Sequence, residues 1–567
     1  MYKRLYTSAG EGLQGQPWRA YPRPQMKREK WLNLNGSWDF AVSSSPALPT
    51  AYDKTIRVPF PPESLLSGIG IHFPEGSFLF YRKKLTLPEE DRRGRVLLHI
   101  GAADQIAEVY VNQKQVGSAH IGGYDAMTFD ITEALEEENE LVISCWDSLY
   151  QKYLPYGKQR IRRGGMWYTP VSGIWQTVWL ECVAENYIRK LDIRTDADGA
   201  VIDTGSEAHQ GNVTVETPEG SVVLPLRDGK AEFSTENPRM WSPEDPYLYR
   251  FTVETGEDRV ESYFALRTLE VKTVDGYARL CLNGKPYFFH GLLDQGYWSD
   301  GIYTPATPEC YEEDILAMKK LGFNMLRKHI KVEPEQFYYD CDRLGMIVFQ
   351  DMVNNGDYRY IRDTVLPTIG MQVVPDKYLH PGKKVRRYFY DGMKATVRQL
   401  KNHPCICYWT IFNEGWGEHD ADRAYGVLKK LDSSRFIDST SGWFRRKETD
   451  VDSRHVYFKP LRILKAGKKP LVLSEFGGFS CKLKEHSFNQ DKTYGYGKFE
   501  STDAFMDALE ALYRDQVAPL VPQGLCAAVY TQVSDVEDET NGLLTYDRKV
   551  TKVDEARMQK IAELLKI

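Results

Sequence analysis

Two glutamates, Glu414 and Glu475, stand where a carboxylate can be aimed rather than merely solvated. Glu414 closes the stretch KNHPCICYWTIFNEGW (Lys401–Trp416). Pro404 cannot continue a helix and disfavours α backbone at the residue before it, so a helix is predicted to end at 402–404. Ile406–Phe412 follows, β-rich and apolar with no period-2 polarity, as expected of a strand covered on both faces. Asn413–Glu414–Gly415 then sets an amide and an acid side by side at its C-terminal end. KPLVLSEFGG (Lys469–Gly478) repeats the device, with an apolar strand Leu471–Leu473 leading into Ser474–Glu475. Cleaving an acetal needs a proton for the leaving oxygen and an anion for the oxocarbenium-like carbon, and two opposed carboxyls supply both.

Either glutamate alone would read as a solvated or salt-bridged strand end; the pair is what points to chemistry. Other polar side chains are expected to converge on them. Asp294 ends the predicted first strand, Arg327 and His329 the second, and Asp351 the third, while Tyr457 lies near the sixth. Arg327 reads equally as an ion-pair partner that orients the carboxylates, and His329 as a core histidine. Asp351 reads as a sugar ligand or as the group that orients Arg327. Asn413 is suited to hold a substrate hydroxyl. Trp298, Trp416 and Trp443 are candidate stacking platforms, with a wall role open for Trp416.

The elements that must position these residues follow from a change in texture after Arg267, where strand and helix signals alternate as in βα units. Strands are predicted at 288–293, 324–330, 346–352, 406–412, 436–440, 456–458, 471–473 and 525–531. Helices are predicted from Pro308, from Pro334, over 385–401, near 420–431, near 502–514 and over 552–565. Eight such units over residues 274–567 make a (β/α)8 TIM barrel, whose C-terminal rim is where strand-end residues meet. Residues 1–185 read as a β-sandwich, and 186–273 as a smaller immunoglobulin-like β-sandwich with the corner MWSPEDPYLY (Met240–Tyr249). Arg160, Arg162 and Arg163 are expected in an exposed loop, with a reach toward the site as the alternative. The long segment 354–384 suggests a pocket rather than an open cleft.

The chain has 567 residues, 42% of them hydrophobic and 13% aromatic, with a formal net charge of −6. That charge argues against a nucleic-acid partner. No apolar run reaches the length of a membrane span, and MYKRLYTSAGEGLQGQPW lacks the apolar core of a signal peptide. The nine cysteines are odd in number and sit mostly in apolar runs, so reduced thiols and a cytoplasmic location are expected. Cys405-x-Cys407 lacks zinc-ligand spacing.

Several motifs resemble glycoside hydrolase family 2, the β-galactosidase, β-glucuronidase and β-mannosidase group. LNGSWDF (Leu34–Phe40) and SGIWQTVWLE (Ser172–Glu181) resemble its jelly-roll sugar-binding domain, and WSPEDPYLY with ALRTLEV (Ala265–Val271) its immunoglobulin-like domain. LNGKPYFFHG (Leu282–Gly291), NMLRKH (Asn324–His329), KNHPCICYWTIFNE and SEFGG resemble landmarks of its barrel. The resemblance implies a retaining exo-acting β-glycosidase. Glu414 would be the acid/base, Glu475 the nucleophile, Asn413 the 2-hydroxyl ligand, Tyr457 a neighbour of the nucleophile and Arg327 a support. The chain departs from the family at Thr410, in GLLDQGYWSDG (Gly291–Gly301) and at Tyr530, and it has no Asn-x-Lys pair near Asn541. These departures rank β-D-galactosides ahead of β-glucuronides and β-mannosides. No cofactor or metal is expected; magnesium occurs in some relatives, but no ligand cluster can be assigned to it. The expected partner is a glycoside or oligosaccharide, with a homo-oligomer left open. A non-catalytic carbohydrate-binding protein is the reading from another class, and the presence of both glutamates counts against it.

Overall fold

The computed structural model describes residues 2–567 except 257, 370, 372–375, 377–381, 458 and 462–463. Much of the expected lid-like segment 354–384, and Phe458 of the expected sixth strand, therefore lie outside the described residues.

Two antiparallel sheets come first. One has four strands in the order 31–33, 178–183, 95–100, 127–130; the other has six, in the order 54–58, 36–43, 78–86, 138–146, 106–111, 114–121. The alternation that makes such sheets is plain in Ile106–Val111, whose residues are buried at every second position. Trp38, Phe40, Leu98, Ile143 and Leu180 fill the space between the sheets. A smaller sandwich of three and four strands runs from Asp192 to Phe264 around Val213, Phe233, Phe251 and Phe264.

The C-terminal part is a TIM barrel of eight parallel strands. These are β1 (Phe289–Asp294), β2 (Met325–Lys328), β3 (Ile347–Asp351), β4 (Ile406–Asn413), β5 (Phe436–Ser441), β6 (Asp452–Val456), β7 (Leu471–Gly477) and β8 (Leu525–Thr531). The hydrogen-bonded order is β5-β4-β3-β2-β1-β8-β7-β6. Between β5 and β6 no ladder is found among the described residues. Side chains bridge the seam instead, Ser441 reaching Ser453 (Oγ–Oγ 3.4 Å) and His455 (3.0 Å). Helices α1 (Glu309–Lys320), α2 (Glu335–Leu344), α3 (Lys383–Leu400), α4 (Ala421–Leu431), α5 (Thr502–Leu512) and α6 (Glu555–Glu563) cover the barrel. Among the described residues no helix of comparable length follows β5 or β6, so those two units are strands without their helical partner. The sixth strand also begins four residues earlier than the sequence reading placed it. No helix among the described residues is long and apolar enough to cross a membrane. All nine cysteines are free.

The parts are joined by buried polar contacts. Arg28 bonds Glu181 of the first sandwich (2.8 Å) and Asp258 of the second (3.0 and 2.9 Å), with every partner at least 96% buried. Trp241, in the predicted proline-rich corner, donates to the Asp342 carbonyl of α2 (2.7 Å). Residues 152–169 of the first sandwich cross to the barrel mouth, where Tyr156 meets Asn354 and Gly356, and Tyr168 meets Glu539. Arg163 pairs with Glu537 (3.0 Å) and the Arg160 guanidinium lies 3.5 Å from the centre of the Trp167 ring. The expected exposed basic loop is therefore docked at two of its three arginines, Arg163 finding a buried acid of the barrel and Arg160 the Trp167 face within the loop, while Arg162 is exposed as expected. Arg28→Ala would leave Glu181 and Asp258 buried without their cation, at a cost of about 3–5 kcal/mol. A fall in the thermal midpoint should report it; an unchanged midpoint would show that the junction is not held by this charge.

Candidate active site

Each glutamate is aimed by the backbone that carries it. β4 ends at Asn413, and Glu414 turns out of line with φ +52°, a left-handed conformation costly for a non-glycine residue and often found at functional sites. Its N–H donates to the Ser441 carbonyl (2.9 Å), and Gly415 continues the turn at φ +76°, where a Cβ would strike the Phe444 ring. Glu475 lies within β7, deeper than Glu414: its side chain is 6% exposed against 21%. A carboxylate oxygen of each and a ring nitrogen of His455 lie within 4.8 Å of one another.

Arg327, at 1% exposure, gathers the site. Its guanidinium donates to Glu475 Oε1 (2.9 Å), Asp351 Oδ1 (3.0 Å), Asn413 Oδ1 (2.7 Å) and the Ser474 carbonyl (3.1 Å). A guanidinium can only donate, so it faces the amide oxygen of Asn413 and leaves that residue's NH2 for the pocket. Tyr457 donates to the other oxygen of Glu475 (2.5 Å). Burial alone would raise the Glu475 carboxyl, but the charge of Arg327 and the Tyr457 hydroxyl outweigh it and hold it well below the ordinary carboxylate value. His329 Nδ1 bonds Asp351 Oδ2 (2.7 Å), while burial, with Lys158 nearby, brings its imidazole down to about 4, so it is neutral near pH 7.

The pocket over these groups is lined by Asn413, Glu414, Tyr457, Glu475 and Thr531 from strand ends, and by Gln295, His329, Tyr358, Trp416, Tyr494, Tyr496, Glu539 and Asn541 from loops. Lys158, Met166 and Trp167 arrive from the sandwich. Trp416 is a wall residue, locked edge-on against Trp167 (centroids 4.6 Å apart) and Tyr358. Burial pushes the Glu539 carboxyl up, against Lys158 and the hydroxyl of Tyr168.

Of the other residues expected at the site, Asp351 stands behind it, holding Arg327 and His329. Asp294 is engaged elsewhere, with the buried Lys328 (2.6 Å) and the Gly296 N–H (2.9 Å). Trp298 is not a stacking platform. The chain bends back after β1, pairing Trp298 with Ile302, and the ring is 3% exposed between Tyr311 and the Arg548 guanidinium. Trp443 backs His455 edge-on at 5.8 Å and is absent from the pocket lining. Residue reading missed His455, Lys158, Trp167, Tyr494, Tyr496 and Glu539. The basic run around Lys158 was the one signal of a reaching loop.

The Glu414–His455–Glu475 group offers carboxylate and imidazole atoms, but Nδ1 of His455 is committed to Glu414 (2.7 Å) and Nε2 to Ser441 (3.0 Å). Arg327 supplies the positive charge there. Arg327→Gln should raise the Glu475 carboxyl by about 1–3 pH units. The pH dependence of carbodiimide modification of Glu475, followed by peptide mass spectrometry, should shift up by that amount; an unshifted profile would remove Arg327 from the account.

Residues 272–553 match the family model described as glycosyl hydrolases family 2, TIM barrel domain, and residues 181–267 match the model described as glycosyl hydrolases family 2. A β-galactosidase of Thermoanaerobacter pseudethanolicus is 26% identical over 472 residues, 75% of this chain and 59% of that protein. A β-glucuronidase of Felis catus is 25% identical over 449 residues, 70% of this chain and 65% of that protein. The matched part thus spans about six tenths of these curated relatives. In structure, a β-glucuronidase from an uncultured Clostridium species superposes with TM-score 0.73 at 18% identity, covering 95% of this chain and 98% of that one, which shows a shared fold. With both family models placed in order along it, the chain belongs to glycosyl hydrolase family 2.

Proposed function

We propose that the protein is a retaining, exo-acting β-glycosidase in which Glu475 is the nucleophile and Glu414 the acid/base. The observation that carries this is the approach of the two carboxylates to within 4.8 Å. Retaining enzymes set their carboxyls about 5–5.5 Å apart, whereas inverting ones leave about 6.5–9.5 Å for a water. The environments divide the roles. Arg327 and Tyr457 hold Glu475 as an anion, ready to attack the anomeric carbon. Glu414, more exposed and at the pocket's edge, is placed to protonate the leaving oxygen and later to take a proton from water. The sandwich loop with Lys158 and Trp167 walls one side, which suits a terminal sugar rather than the middle of a chain.

For the sugar, neutral β-D-galactosides were ranked first from sequence. One observation favours the β-D-glucuronide: Lys158 is a cation in the pocket lining, with no ion pair found for it among the described residues. It supplies, from the sandwich, a cation that a uronate would need and that no Asn-x-Lys pair provides.

Glu475→Ala should lose turnover on every p-nitrophenyl β-glycoside, and azide should restore release of an inverted glycosyl azide. Glu414→Ala should still be glycosylated by activated aryl glycosides, stall at deglycosylation, and be rescued by azide with retained product. The opposite stereochemistries would swap the two roles; near-wild-type rates in both variants would dismiss the mechanism. In the same panel, Lys158→Ala should depress hydrolysis of p-nitrophenyl β-D-glucuronide by roughly 10-fold or more relative to the galactoside, the loss expected for a charge-assisted contact. Equal losses on the two would return the ranking to the neutral sugar.

A further inference from the structure

His455 touches both glutamates yet is wholly buried, its side chain 0% exposed. Nδ1 lies 2.7 Å from Glu414 Oε1. Nε2 lies 3.0 Å from Ser441 Oγ, 3.3 Å from Arg327 Nη1 and 3.5 Å from Glu475 Oε1. The ring is pressed into place from beneath: Gly442 has φ +102°, and a Cβ there would fall 2.5 Å from Cγ and Nδ1. Trp443 closes the other side.

The neighbours decide where the proton of this ring resides. A guanidinium has donors and no acceptor, so an Arg327 N–H facing Nε2 calls for a lone pair there. The Ser441 hydroxyl, which lies 3.0 Å from both Ser474 Oγ and Nε2 and donates to the former, can turn its one proton to the same lone pair. A neutral imidazole with Nε2 unprotonated carries its proton on Nδ1, and the acceptor opposite Nδ1 is Glu414 Oε1. The charged groups facing the ring are Arg327 from β2, Glu414 beyond β4, Asp438 from β5 and Glu475 from β7. An imidazolium would set a second N–H against the guanidinium, so the neutral form fits the site.

We infer that His455 is the positioning residue of the proton donor: its Nδ1–H occupies Oε1 of Glu414, leaving Oε2 as the seat of the proton that reaches the leaving group. This rests on Glu414 being the acid/base. In the first half-reaction the Oε2 proton passes to the glycosidic oxygen as the C1–O bond breaks and C1 bonds to Glu475. In the second, water bonds to C1, its proton goes to Oε2, and the bond to Glu475 breaks. His455 keeps its own proton throughout.

Two amide substitutions test this in the full-length protein. In His455→Asn the amide NH2 falls near the place of Nδ1; in His455→Gln it falls near that of Nε2. Phenyl and 2,4-dinitrophenyl β-D-galactosides, with the matching glucuronides, serve as probes, since the dinitrophenolate departs without a proton. His455→Gln should lose about 100-fold in kcat/KM on the phenyl glycoside, the low end of what general acid catalysis supplies, and less than about threefold on the dinitrophenyl glycoside. Its alkaline limb should move up, since an N–H that favours the carboxylate over the acid is lost. His455→Asn should recover at least about tenfold of the phenyl activity by restoring one hydrogen bond. Equal losses on both leaving groups would make His455 merely structural. An alkaline limb that moves down would mean an imidazolium shares the proton, and an unmoved limb would mean no coupling; either overturns the inference. Glu414→Ala assayed alongside separates the two readings. If it retains activity on the phenyl glycoside, the acid/base assignment itself fails; if it is inactive there and only the histidine variants behave otherwise, the assignment stands and this inference falls.

Discussion

The site depends on one buried cation. Arg327 is withdrawn from water inside the barrel mouth, a placement that is costly unless every N–H finds an acceptor. It finds four on three strands: Asp351 of β3, Asn413 of β4, and the Ser474 carbonyl and Glu475 carboxylate of β7, around its own β2. The same bonds that offset its desolvation also orient Asn413, ionise Glu475 and, through Asp351, hold His329. Structural necessity and chemical poise are here one network, which is why Asp351 and Arg327 matter to reactivity without either lining the pocket.

Around that network the chain arranges surfaces it could not build from the barrel alone. The strand ends provide acids, an amide and hydroxyls, but they provide no high wall. The sandwich loop 152–169 raises one, bringing Lys158 and Trp167 against Trp416 and Tyr358.

Much of the barrel was legible because a strand buried on both faces must be continuously apolar: β4 and β8 are such runs, and Leu525–Thr531 has the bounds read from sequence. β6 was misplaced because DSRHV has only Val456 as an apolar residue; Ser453 and His455 point into a polar interior rather than an apolar core. β7 was cut short at Leu473 for the same reason, since Ser474 and Glu475 are inside the strand. The two glutamates, Arg327, Asn413 and Tyr457 could be placed from strand ends. Lys158, Trp167 and Glu539 could not, because their arrival is tertiary, carried by loops with no periodicity. Trp298 shows the converse: residue type signals an aromatic face, but Arg548, far along the chain, decides that the face is covered.

The open ladder between β5 and β6 gives the barrel a mechanical asymmetry. From β5 through β4, β3, β2, β1, β8 and β7 to β6 the strands form one hydrogen-bonded ribbon. Its two free edges meet through side chains, Ser441 and Asp438 of β5 reaching Ser453 and His455 of β6. Glu475 on β7 and Arg327 on β2 are joined by an unbroken run of ladders through β8 and β1. Glu414, beyond β4 next to one end of it, and His455, on β6 at the other, are brought together across the seam like the tips of a clasp. A small parting of those edges would separate the acid from its histidine while leaving Glu475 and Arg327 in register. The seam thus crosses the contact that holds the proposed acid/base and leaves the proposed nucleophile and its cation on one continuous run of ladders.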